Sequence, residues 1–235
     1  MTVSSETEWL LVACGLIAHA DDVLDGNEVE RLMAMVDDRI PEDAYADWLR
    51  IIGDKAELEA RYAALPDPPE DQHRSLLEEA WAMAMVDGER NTKELVVLAR
   101  IAERFGVEPM QLEFWREAWT SAEQEFSVRT AELAALALGG GETLFEDDHS
   151  PFLDLIERLP TTTEERERLG QLATSSPTDA DALGRALAAM PKTRRQQAFT
   201  LVSQLVRYAV EAEPARERFV AIGRAAGLLN AADLL

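Results

Sequence analysis

Residues 82–94, AMAMVDGERNTKE, contain the end of one helix and the start of the next, and the rest of the chain can be interpreted from them. The small and apolar residues predict the last turns of a buried helix, and Asp87-Gly88 predicts a turn. Asn91 and Glu94 have the spacing of a capping box, in which the glutamate side chain bonds back to the backbone N–H of Asn91. An amphipathic helix follows, and Gly106 is positioned to end it.

The same unit occurs earlier in the chain. Asp21 and Glu28 are seven residues apart, as are Asp87 and Glu94, and each pair follows an apolar helix that ends in small residues. The repeated pattern predicts a helix, an acidic turn, and a second helix whose first turn holds a glutamate.

The composition favours an all-α protein. Apolar residues make up 47% of the 235 residues and aromatic residues only 6%. Leu and Ala dominate over β-branched residues, which favours helices over strands.

The formal net charge is −22. Such a surface repels phosphate backbones, which argues against nucleic-acid binding. Cations and basic protein surfaces are the partners that this charge would attract. Alternatively, the charge serves only to keep the protein soluble.

Other classes of protein find no support in the sequence. The single cysteine, Cys14, excludes an internal disulfide and a cysteine-based zinc site, and its apolar surroundings predict a core position. The apolar run 9–18 is too short to span a bilayer, and Glu6 and Glu8 stand where a secretory signal would carry basic residues. There is no phosphate-binding loop and no serine or cysteine beside a plausible histidine base. We therefore expect a non-catalytic cytoplasmic protein.

Capping residues, prolines and glycines predict where the helices begin. Ser5 with Glu8 and Thr178 with Asp181 are predicted to cap helices, and the other predicted starts are Pro109, for a short helix, Ser150-Pro151, Phe199 and Pro214.

The chain also repeats on a larger scale. Ile40-Pro41 precedes Leu159-Pro160 by 119 residues, and Gly106 precedes Gly227 by 121. Offsets that stay near 120 predict two copies of one helical domain, residues 1–120 and 121–235, which pack together or share a continuous helix.

The acidic unit resembles the TerB family of tellurite-resistance proteins. The family signature is an apolar helix ending in Ala-x-Ala-Asp-Gly, followed after four or five residues by Glu and an amphipathic helix. Residues 84–88 with Glu94 match it apart from one added residue, and residues 18–21 with Glu28 match it except that Asp22 replaces the glycine. The resemblance implies an all-helical fold, a role in tellurite or stress-response systems, and acidic residues that bind a divalent metal.

The second copy departs from this signature. Gly140-Gly141 stands where Asp-Gly is expected, and Tyr208-Ala209 occupies the corresponding place in the last unit. A degenerate copy with a structural or partner-binding role is therefore expected. Residues 142–149 are acidic and are interpreted as a solvated loop.

The candidate metal ligands in the first copy are Asp21, Asp25, Glu28, Asp87 and Glu94. Helix capping accounts for the two glutamates. It does not account for Asp21 and Asp87, which follow helix C-termini, where the helix dipole disfavours an anion. Turn formation by Asp explains them without metal, and a hard cation is the alternative.

Oxygen ligands alone would select Ca, Mg or Mn rather than zinc. An EF-hand over residues 21–32 is excluded, because Leu32 stands where the loop needs its bidentate glutamate. His19 is interpreted as a packed histidine.

Two functions follow from the sequence. The first is an accessory protein of a stress-response or tellurite-resistance system that binds divalent cations at its acidic turns. The second is an acidic scaffold that docks a basic protein partner without metal.

Overall fold

The computed structural model describes residues 3–22, 24, 26–85 and 92–235. These residues form helices and connecting turns without any strand, which confirms the all-α prediction. None of the described helices is both long enough and apolar enough to cross a membrane. The chain divides into two compact units, Met1–Thr120 and Ser121–Leu235.

The first unit is a bundle of helices of 8 to 14 residues, followed by the start of a long one. Its helices are α1 (Ser5–Ala18), α2 (Gly26–Arg39), α3 (Tyr45–Ile52), α4 (Lys55–Ala64), α5 (Glu70–Met83), α6 (Thr92–Arg104) and the beginning of α7 (Pro109–Gly139).

Helix α1 lies at the centre of the first unit because its sequence has no polar face after the first turn. Residues 9–18 are all buried, and α1 packs against α2, α3, α4, α5 and α6. Gly15 permits the close approach of α4, since a Cβ there would lie 2.9 Å from Cδ1 of Leu58. The indole N–H of Trp9 donates to the carbonyl of Pro66 at 2.7 Å, which ties α1 to the connection before α5.

The second unit has its own hydrophobic core, to which the last part of α7 contributes the uninterrupted buried run 133–138. The remaining helices of this unit are α8 (Glu146–Glu157), α9 (Thr163–Gly170), α10 (Ala180–Ala189), α11 (Lys192–Arg207) and α12 (Ala212–Ala225). Helix α12 packs against α10 and α11. Gly184 of α10 allows this contact, because a Cβ there would lie 2.3 Å from the Cβ of Ala225.

Two predicted helix caps were wrong by one residue. The N-cap of α1 is Ser4, whose hydroxyl accepts from the N–H of Thr7, and not Ser5. The N-cap of α10 is Asp179, which accepts from the N–H of Ala182 at 2.8 Å, and not Thr178. In both cases a neighbouring side chain of equal capping ability takes the position.

Three helices extend further than predicted. The helix that starts at Pro109 is not short but runs 31 residues, because no glycine or proline interrupts it before Gly139. Helix α11 begins at Lys192 and not at Phe199, since its first two turns are amphipathic rather than apolar. Helix α8 begins at Glu146 and includes Pro151, so residues 146–149 are not part of a loop.

Candidate functional site

Two of the proposed metal ligands, Glu28 and Glu94, are buried carboxylates at equivalent places. Each is the third residue of its helix, α2 or α6, and they are only 5% and 4% exposed. A carboxylate at this position lies near the unpaired backbone N–H groups of the first helical turn and is stabilised by them. Both carboxyl groups have interaction partners. Their depth is nevertheless unusual, because glutamate is rarely fully buried without a compensating charge or hydrogen bonds.

The turn that follows α1 carries two acidic residues, Asp21 and Asp22. Asp21 in this turn is half-buried, and Asp22 adopts a left-handed conformation with φ +69°. The ammonium of Lys55 lies 2.5 Å from the Asp22 carboxylate and, through this hydrogen bond and its charge, lowers the pKa of that carboxyl. The charge of Lys93, the second residue of α6, lowers it further. Both lysines therefore favour the charged form of Asp22.

The other two proposed ligands, Asp25 and Asp87, lie outside the described residues. Within the described part of the chain, no group of three or more His, Cys, Asp or Glu side chains has the arrangement of a metal site. Asp21, Glu28 and Glu94 therefore do not form a complete ligand set by themselves.

His19 is a packed side chain, as its place after an apolar helix predicts. It is 9% exposed, and its Nε2 lies 2.9 Å from the carbonyl oxygen of Ile52. This contact joins the end of α1 to the end of α3.

The second unit also holds a buried carboxylate that sequence reasoning assigned to a solvated loop. Asp148 is the third residue of α8, is 5% exposed, and accepts a hydrogen bond from the backbone N–H of Val210 at 3.0 Å. Burial raises the pKa of its carboxyl group. The signal that could have identified it is its position 120 residues after Glu28, the offset of the internal repeat. The fourth equivalent position, the third residue of α12, is Pro214.

An arginine occupies the turn at the end of α7. The guanidinium of Arg218 donates to the carbonyls of Ala137 and Leu138 at 2.8 Å and 2.6 Å. A Cβ at Gly140 would lie 3.0 Å from the Nη1 of Arg218, so glycine at this place leaves room for the guanidinium. A cation at the last carbonyls of a helix is favourable both as a hydrogen-bond donor and towards the helix dipole.

The turn after α1 and the turn after α7 therefore carry different groups. In the first unit, the turn after α1 carries carboxylates, and buried glutamates stand at the starts of α2 and α6. In the second unit, the turn after α7 carries glycines and a fixed guanidinium, and one buried aspartate holds a neighbouring loop. The first arrangement offers oxygen donors to a hard cation, whereas the second supplies its own positive charge.

The chain matches one known family. The family model described as "Tellurite resistance protein TerB" matches residues 7–117, which fall within the first unit. Neither a curated protein nor a solved structure matches the chain.

Proposed function

Because residues 7–117 belong to the TerB family, we propose that the protein is a non-catalytic accessory component of a tellurite-resistance or stress-response system, and that its first unit binds a divalent cation. The observation that carries this proposal is the pair of buried carboxylates, Glu28 and Glu94, at the third positions of α2 and α6.

The donor chemistry supports a hard cation. A buried carboxylate loses its hydration, and this loss must be offset by hydrogen bonds or by positive charge. The five acidic residues proposed as ligands, Asp21, Asp25, Glu28, Asp87 and Glu94, offer only oxygen atoms, which suit Ca²⁺, Mg²⁺ or Mn²⁺. The cation, when bound, would supply the positive charge that these carboxylates share.

Titration of the full chain with calcium, magnesium and manganese chloride tests this proposal. Binding is followed by calorimetry and by thermal unfolding. All five tryptophans lie between Trp9 and Trp119, so their fluorescence reports on the first unit. At a concentration about 100-fold above the Kd, a ligand that binds only the folded state stabilises it by about 2.7 kcal/mol. We expect E28Q and E94Q to weaken binding at least ten-fold.

Glu103→Gln is the matched control, since Glu103 is an exposed residue of α6. It removes the same charge without touching the proposed ligands, and it should bind the cation as the wild type does. Absence of both heat and thermal stabilisation would reject the cation site and leave capping and turn formation as the roles of these acids.

The second candidate function is an acidic adaptor that docks a basic protein partner in the cytoplasm without metal. Two features support it. The net charge is −22, and the guanidinium of Arg218 already supplies a positive charge in the second unit, so that unit needs no bound cation. Capture of such a partner should weaken strongly with added salt and be indifferent to a chelator.

The two units are proposed to be copies of one module, of which the second is degenerate. Helices α2 and α8 begin at residues 26 and 146, and helices α6 and α12 begin at residues 92 and 212. Both pairs differ by 120 residues, which agrees with the spacing of the sequence repeat.

A further inference from the structure

Three apolar side chains of the second unit are exposed on two segments that a hydrogen bond joins, the start of α8 and the α11–α12 connection. Phe145, the N-cap of α8, is 46% exposed, and Tyr208 and Val210 in the connection are 87% and 50% exposed. We call these three residues the apolar patch. Large apolar residues exposed together mark interaction surfaces more often than single ones do.

A buried residue and a hydrogen bond fix the connection that carries Tyr208 and Val210. Ala209 between them is 8% exposed, so this residue packs into the unit while the side chains before and after it are exposed. The buried carboxylate of Asp148 accepts the backbone N–H of Val210 at 3.0 Å, which fixes this connection against the first turn of α8. A fixed loop presents its side chains with a smaller entropic cost of binding than a mobile one.

The border of the apolar patch is acidic. Glu146 and Asp147 are exposed in the first turn of α8, and Glu211 and Glu213 are exposed at the start of α12. All four lie within three residues of Asp148 or Val210, whose hydrogen bond joins the two segments that carry the apolar patch. The guanidinium of the neighbouring Arg207 donates to the carbonyl of Leu234.

We propose that the apolar patch is the docking site for a cationic amphipathic segment of a partner protein. Apolar side chains of that segment pack on Tyr208, Val210 and Phe145, and its lysines or arginines pair with the acidic border. This proposal rests on the adaptor function above and assigns its surface. Charge complementarity selects the partner, because a second copy of this chain would oppose equal acidic borders, and phosphate groups would be repelled.

The test measures peptide binding to the full chain by fluorescence anisotropy. The probe is a labelled helical peptide of about four turns made of Lys and Leu. A second peptide has the same charge but carries Gln in place of each Leu. We expect the Lys/Leu peptide to bind at least ten-fold more tightly than the Lys/Gln peptide. The double variant Y208S/V210S should reduce its affinity to that of the Lys/Gln peptide, and the variant E146Q/E211Q should flatten its salt dependence.

The matched control is M110S/F114S in α7 of the first unit, since Met110 and Phe114 are also exposed, at 87% and 68%. It should bind both peptides as the wild type does. Unchanged binding in Y208S/V210S, or an equal loss in the control, would overturn the assigned surface while leaving an adaptor function in place. Failure of both peptides to bind at low salt would overturn both. Self-association that is abolished in Y208S/V210S would assign the patch to a second copy and overturn the proposal.

Discussion

Gly106 and Gly227 adopt the same left-handed conformation, with φ of +70° and +74°, and each is the second residue after the end of its helix, α6 or α12. After each glycine, the N–H of the next residue donates to the carbonyl five residues back, at 2.9 Å and 2.8 Å. This is the Schellman pattern, which satisfies helix carbonyls that have no partner within the helix. Residues 121 positions apart therefore end their helices by the same hydrogen bonds.

We expect Gly106→Ala and Gly227→Ala each to lower the free energy of unfolding by about 1 kcal/mol. A Cβ would meet no atom within 4 Å at either position, so the loss comes from backbone conformation alone. Urea unfolding checks this, with tryptophan fluorescence for Gly106→Ala and circular dichroism for Gly227→Ala. Gly26→Ala is the control, because Gly26 also has open space around it but no positive φ. An unchanged urea midpoint in Gly106→Ala would contradict the prediction.

The buried carboxyl of Asp148 predicts a dependence of stability on pH. Burial raises the pKa of this group, so between its ordinary and its raised pKa the folded protein binds more protons than the unfolded chain. The contribution of Asp148 to stability therefore grows as the pH falls through that window. D148N keeps an acceptor for the N–H of Val210 and removes the titration. We expect the stability of D148N relative to wild type to decrease from pH 7 towards pH 4.

Urea unfolding at several pH values measures this difference. The exposed Asp147→Asn is the control, because it changes the net charge by the same amount. A pH dependence that is equal in both variants would show that general charge repulsion, rather than the burial of Asp148, is responsible.

Helix starts in this chain could be predicted from the sequence where a single residue indicated the start. They could not be predicted where two neighbouring signals indicated different starts. Pro109 does begin a helix, and this helix is long because no stop signal occurs over the next 29 residues. Pro151 predicts a helix start, whereas the acidic first turn at Glu146 and the hydrogen bond from the N–H of Val210 to Asp148 favour an earlier one. That bond joins residues 62 positions apart, which local patterns do not reveal.

The candidate site was also predictable only where a local sequence pattern marked its residues. The seven-residue spacing identified Glu28 and Glu94, and both are buried at the third position of a helix. Asp148 was missed because its neighbours in sequence are exposed acids, so only its 120-residue offset from Glu28 and its tertiary contact distinguish it. Arg218 was missed because a guanidinium that reaches a helix end about 80 residues away leaves no local signal.

Arg218 is predicted to stabilise the second unit through the end of α7. Arg218→Met removes two hydrogen bonds to helix carbonyls, and we expect a loss of about 1–3 kcal/mol in the free energy of unfolding. Gly140→Ala should also be destabilising, because its φ is +62° and its Cβ would crowd the guanidinium. In the double variant the crowding disappears, so the combined loss should be smaller than the sum of the single losses.

Circular dichroism in urea measures all three variants. Arg216→Met is the control, since the Arg216 side chain is half-buried and pairs only at 3.4 Å with the exposed Glu213. It should cost less than about 1 kcal/mol. Strict additivity of Arg218→Met and Gly140→Ala would argue against direct contact between the two residues.

The thiol of Cys14 offers a direct measurement of cation binding in the first unit. Cys14 is the only cysteine of the chain, it is fully buried, and burial raises its pKa to about 12. The thiolate is the reactive form, so labelling by a disulfide reagent at neutral pH requires opening of the structure around α1. A cation that binds only the closed form should slow labelling by the factor 1 + [L]/Kd, where [L] is the free cation concentration, which is about 100-fold at 100 times its Kd.

The control for this experiment is sodium chloride at the same ionic strength, because salt alone screens the repulsion within a chain of net charge −22. Sodium should slow labelling far less than calcium, magnesium or manganese does. Glu94→Gln should remove most of the difference between sodium and the divalent cation, and Glu103→Gln should preserve it. Equal protection by sodium and by all three divalent cations would mean that screening, and not a site formed by the acidic turns, stabilises the first unit.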